Sequence, residues 1–168
     1  MYIHMGADIS SMNRQTDGGV MRTTVWLRIS AIISLLFAVG HSLGGMQNWS
    51  PVADNPVLQS MRSVGFHVMG VDRTYLDFYK GFGYSLSVSL LLQSALLWML
   101  GGLARVHAPG VRPMIAAFLV ATLLGGFIAW RYIFPVPALF SLALSATLTV
   151  ALISAGRSPA VSALADRG

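Results

Sequence analysis

The sequence contains no cysteine and no glutamate. Without thiols there are no disulfides, thiolate metal sites, thioether-linked haem or thiol redox chemistry. The acidic inventory is six aspartates. Charge of either sign is scarce. Charged residues make up 10% of the 168 residues, against roughly 25% in an ordinary soluble domain. A soluble domain of this size needs more charge than that to cover its surface. No Gly-rich phosphate loop, Gly-x-Ser-x-Gly elbow or His-Glu-x-x-His motif occurs either, which removes the chemistry each supports.

What is present is apolar. The apolar share is 55% and the mean hydropathy is +0.66, as a lipid-facing surface requires. A spanning helix needs about 20 mostly apolar residues, because the hydrocarbon core is about 30 Å thick and a helix rises 1.5 Å per residue. Residues 26–46, 81–103, 114–134 and 137–155 meet that length. They lack period-2 alternation, so of the two structures lipid allows they select helices over a closed barrel. Pro109, Gly110 and Pro113 precede the third stretch. A tight Pro135-Val136-Pro137 turn separates the third from the fourth, and Gly156 with Pro159 follows it. The expected fold is all-α: a four-helix transmembrane bundle, 22–156, between a disordered cytoplasmic tail, 1–21, and a second cytoplasmic tail, 157–168.

Arginine placement sets the orientation. Arg14, Arg22, Arg28, Arg105, Arg112, Arg157 and Arg167 fall on one side, and Arg62, Arg73, Lys80 and Arg131 on the other. The excess places both termini in the cytoplasm. Trp26 and Trp98 then lie near inner helix ends, and Trp49 and Trp130 near outer ones, as interfacial tryptophans do. Met1, Met12 and Met21 are alternative starts, since Met21-Arg22-Thr23-Thr24-Val25-Trp26 reads as the head of an inside-out helix. Ala38-Val39-Gly40 resembles a signal-peptidase site, although the helical pattern continues through His41 and Leu43.

Small residues let helices approach in lipid. Ala117, Ala121, Gly125 and Ala129 recur four apart and predict the tightest contact of the bundle. Ser30, Ser34, Ala38 and His41 form a stripe on the first span; Ser85, Ser89 and Gln93 do so on the second, and Ser141, Ser145 and Thr149 on the fourth. These serines serve either packing, with back-bonding to the i−4 carbonyl, or a polar cavity. In the long outer loop, Asn55-Pro56 reads as N-cap and first turn of a short amphipathic helix through residue 69, ended by Gly70. Asp72 then caps the segment leading into the second span.

His41 is the one ionisable residue well inside a span, and it sits in Gly40-His41-Ser42-Leu43-Gly44-Gly45. Such a residue is a functional candidate, and the glycines leave room for a helix or ligand. It reads equally as a neutral imidazole bonded to a serine or a carbonyl. Asp77 either pairs with Arg73 one turn away or points inward to His41 or Arg131. By topology His41, Asp77 and Arg131 share a depth near the outer leaflet. His41 and Asp77 are the candidate acid–base pair, and Arg131, Tyr79, Trp49 and Gln93 the candidate ligand-binding residues. No metal set is expected. The histidines do not pair at one depth, which argues against bis-histidine haem, and no motif identifies another cofactor.

The pattern His41-Ser-Leu-Gly-Gly45, Trp49-Ser-Pro51, Met61…Phe66…Gly70, Asp72-Arg-Thr-Tyr75 and Asp77-Phe-Tyr-Lys-Gly-Phe-Gly83 resembles a group of small, uncharacterised four-helix bacterial membrane proteins. The resemblance covers residues 25–105 and implies the four-helix fold and bacterial origin, hence the inner membrane. It implies no activity. Three functions therefore remain in play: a non-catalytic bundle that binds a lipophilic molecule or acts as an accessory subunit, a membrane-embedded enzyme using His41 and Asp77, and an oligomeric transporter or channel. The expected partners are the bilayer and a lipophilic small molecule. Nucleic acid is not among them, because the net charge of +5 resides beside the membrane as an orientation signal.

Overall fold

The computed structural model describes residues 4–45, 52 and 55–156. Four of its helices are long and apolar enough to cross a membrane, within Gly18–Gly44, Tyr75–His107, Pro109–Tyr132 and Pro135–Gly156. The element order is α1 (His4–Gly40), a wider π-helical turn (His41–Gly45), α2 (Pro56–Ser63), β1 (Gly65–Val68), β2 (Val71–Thr74), α3 (Tyr75–His107), a short 3₁₀ turn (Pro109–Val111), α4 (Arg112–Tyr132) and α5 (Pro135–Gly156). The chain divides into two compact units: Met1–Ser34 with Ser94–Gly168, and Leu35–Gln93.

The first unit holds the four-helix core. Leu27 and Ala31 of α1, Leu97, Leu100 and Ala104 of α3, Ile115 of α4, and Leu144, Leu148, Ala151 and Ala155 of α5 are buried against one another. Hydroxyls join this core. Ser30 Oγ lies 2.8 Å from Thr147 Oγ1, and Ser94 Oγ donates to the Ala31 carbonyl at 2.8 Å. In lipid such bonds stand where water would otherwise satisfy the groups. The outward positions are large and apolar, among them Leu124, Phe127, Leu139 and Leu142, as a surface solvated by acyl chains requires.

α4 and α5 meet on a different face from the one the four-residue ridge predicts. Ala117, Ala121 and Gly125 are exposed, and only Ala129 of that ridge is buried. A Cβ on Gly125 would meet nothing within 4 Å, whereas one on Gly126 would lie 2.9 Å from Ser141 Cβ. The buried residues of α4 are Ile115, Thr122 and Ala129, seven apart. Four residues overshoot a full turn by about 40°, so a four-residue line curls off the face. A seven-residue line drifts by only about 20°. The same geometry corrects the second-span stripe. Ser85 and Ser89 are exposed and bond back to Gly81 and Ser85 carbonyls, while Ser87 is buried and Ser94 half-buried. On α5, Ser141 and Ser145 are buried as expected but Thr149 is exposed.

Other boundaries also shift. α1 starts at His4, where a disordered tail through residue 21 is expected from sequence; the segment has no proline, and its two adjacent glycines weaken a helix without breaking it. Pro135 and Pro137 fall in the first turn of α5 rather than between helices. The absent N–H groups there are ones a first turn leaves unbonded in any case. The C-terminal tail and the end of the first outer loop's approach, including Trp49, lie outside the described residues.

In the second unit, Asn55 caps α2, its side chain accepting from the Val57 N–H at 2.9 Å, with Pro56 in the first turn. α2 stops at Ser63, short of residue 69. Beyond it β1 and β2 pair antiparallel, Gly65 opposite Thr74 and Val68 opposite Val71. Met69 and Gly70 connect them with φ of 52° and 79°, the signs a two-residue type I′ hairpin turn demands. Gly70 thus shapes a hairpin, and the apparent helical spacing of Val64 and Val68 is coincidental. β-Branched residues flank the turn, which favours strands.

Candidate functional site

Asp77 lies three residues after Thr74, where the hairpin becomes α3. The Thr74 N–H and Oγ1 donate to Asp77 Oδ2 at 3.0 and 2.8 Å, and the Asp77 N–H donates to Thr74 Oγ1 at 3.1 Å. This is a reciprocal capping box, with aspartate in the usual glutamate position. The N-cap is therefore Thr74, and Asp72 belongs to β2 instead. Arg73 donates to the Asp72 carbonyl at 2.7 Å. Among the described residues the single ion pair is His67 Nδ1 with Asp72 Oδ1, at 2.7 Å, so the expected Arg73–Asp77 pair does not form.

His41 opens the π turn. Its Nε2 lies 3.1 Å from the Gly83 carbonyl oxygen. A carbonyl only accepts, so Nε2 carries the proton and, in the neutral ring, Nδ1 is the acceptor. Ser42 Oγ lies 2.8 Å from the Ala38 carbonyl and 2.9 Å from Ser87 Oγ, which lies 3.3 Å from Gly83 O. Insertion of a wider turn re-aims consecutive side chains, and such turns gather at functional sites. Here it brings His41 and Ser42 together onto α3. A Cβ on Gly40 or Gly44 would meet nothing within 4 Å, so the backbone beside His41 is open.

The structure does not join His41 to Asp77. Their hydrogen bonds go to different partners, and Gly83 lies six residues beyond Asp77, about 9 Å along the helix. Among the described residues no carboxylate orients the imidazole and neither serine bonds to it, so they do not assemble the base–nucleophile–orienter geometry of covalent catalysis. Tyr79 and Gln93 are fourteen residues apart on α3, about 21 Å along its axis, too far to share a small ligand. Arg131, in the other unit, places its guanidinium carbon 5.1 Å from its neighbour Tyr132's ring centre, as an interfacial anchor does.

Sequence reasoning missed the hairpin cleft. It encloses about 350 Å³ and is lined by Gly65, Phe66, His67, Asp72, Arg73, Thr74 and Asp77. Beside it runs an aromatic file: Phe66 is 5.2 Å from Tyr75 and 5.9 Å from Phe78, which is 4.9 Å from Phe82. The available signal was Val-Met-Gly-Val, a turn pair between β-branched residues. The cleft is open, its His67–Asp72 pair is exposed, and no group of three metal-ligating side chains occurs among the described residues. Compared with protein-family models, curated proteins and solved structures, the chain finds no match.

Proposed function

We propose that the protein is a non-catalytic integral membrane bundle that binds a lipophilic small molecule, in a bacterial inner membrane with both termini cytoplasmic. The observation that carries this reading is the engagement of both acid–base candidates by the chain's own structure. Asp77 closes the α3 cap with Thr74, and His41 is held by the Gly83 carbonyl. What His41 has to offer is one acceptor nitrogen beside the open backbone of Gly40 and Gly44. That suits an apolar molecule with one hydrogen-bond donor, which would need no further polar contact in the membrane. Arginine excess on the side of α1's N-terminus supports the orientation.

The test is native mass spectrometry of the full chain released from nanodiscs. Wild type should carry a lipophilic species that His41→Ala loses and Asp77→Asn keeps. Loss in Asp77→Asn as well, with both variants folded, would return the pair to an acid–base role. Identical spectra for wild type and His41→Ala would sink the binding site.

A further inference from the structure

Two buried polar atoms without partners lie one turn apart on α1: Thr24 Oγ1 and Arg28 Nε. Residues four apart share a helix face. The Arg28 stem is wedged against α3, since a Cβ on Gly101 would lie 3.4 Å from Arg28 Cγ, 3.4 Å from the Thr24 carbonyl and 3.5 Å from Leu27 Cβ. Its guanidinium carbon sits 4.7 Å from the centre of the Trp98 ring. The absence of a side chain at Gly101 thus seats an arginine at a helix crossing and stacks it on an indole.

The stack leaves the charge unanswered. Among the described residues the single ion pair is at His67 and Asp72, so none of their carboxylates pairs with Arg28. Thr24 is 5% exposed, and its hydroxyl has no hydrogen-bond partner. A buried donor left unsatisfied is costly, more so when charged. Trp26 and Trp98 are the residue type that collects at the headgroup level, which puts Arg28 where phosphates lie. Arg22 and Arg105 are exposed on the same side and add positive potential toward the site.

We infer that Arg28, Thr24 and Trp98 form a binding site for the phosphate of an anionic membrane lipid. The guanidinium has several donors in a planar fork that matches phosphate oxygens, and Thr24 Oγ1 supplies one more. The acyl chains would lie along the exposed apolar faces of α1 and α3, represented near this level by Val25 and Met99. The inference rests on the membrane reading but not on ligand binding at His41, which is on other residues.

The full chain is reconstituted in nanodiscs of phosphatidylcholine with and without phosphatidylglycerol, then released for native mass spectrometry. Wild type should retain phosphatidylglycerol over phosphatidylcholine by about fivefold, because phosphatidylcholine offsets the same phosphate with a choline cation that the guanidinium repels. Arg28→Gln should lose that preference, while Arg62→Gln, at an exposed arginine of α2, should keep it. Unchanged selectivity in a folded Arg28→Gln overturns the site. Should that variant not fold, the near-isosteric Thr24→Val decides: reduced selectivity supports the site, and wild-type selectivity overturns it. Inorganic phosphate added in detergent distinguishes the source. Thermal stabilisation by phosphate alone equal to that by phosphatidylglycerol would overturn the lipid assignment.

Discussion

At the scale of single residues, two side chains that read alike from sequence are bound in different ways. Asp77 is a cap. Thr74→Ala should destabilise the start of α3 by about 1 kcal/mol, and amide exchange across residues 74–77 should quicken correspondingly. An unchanged exchange pattern would deny the capping role. His41 is a donor to a main-chain carbonyl. ¹⁵N-histidine NMR at neutral pH should find the Nε2–H tautomer at this ring, and a dominant Nδ1–H form would contradict the 3.1 Å bond to Gly83. That His41 deserved scrutiny was legible, because an imidazole at membrane depth is costly to keep. Its partner was not, because nothing local marks which carbonyl of another helix will face it.

At the scale of elements, two contacts invite substitution. Gly126, where a Cβ would meet Ser141 Cβ at 2.9 Å, holds α4 against α5. Gly126→Leu should lower stability in detergent by about 1–3 kcal/mol, as overpacking does. Gly125→Leu, into open space, should have little effect on the same thermal melt. The reverse order would restore the four-residue ridge. The hairpin turn is the second. Met69 holds a left-handed conformation and is 96% exposed, so its side chain gives little back for the strain. Met69→Asn creates the Asn-Gly pair that type I′ turns favour. It should stabilise the hairpin by about 0.5–1 kcal/mol, seen as slower exchange of the β1 and β2 amides. Helix existence was legible here from length and hydropathy. Helix rotation was harder, because hydropathy does not separate the face of Ala117 and Gly125 from that of Ile115 and Gly126 when every face is apolar.

At the scale of the whole molecule, four apolar helices, with 88% of the described residues helical, make a multi-pass membrane protein. Both-ends-inside orientation carries a direct expectation. Reporter fusions after Arg105 and after Gly156 should read as cytoplasmic, and fusions near Val57 as external. An external signal at Arg105 would invert the proposed topology and move the Arg28 lipid site to the opposite leaflet.

The sequence by itself determined that the chain is helical and that four of its stretches are long and apolar enough to cross a membrane. These follow from composition and length, because the bilayer's thickness and its exclusion of unpaired backbone act on every span independently. It also marked Asn55-Pro56 as a helix start, since capping is local chemistry. Only the tertiary structure decided which face of α4 meets α5, that His41 leans on Gly83 and that Asp77 turns to Thr74. It alone placed Arg28 over Trp98 at Gly101. The physical reason is the same in each case. In lipid the hydrophobic effect does not distinguish one apolar face from another, so helix pairing rests on close packing and single hydrogen bonds, which are properties of two segments at once.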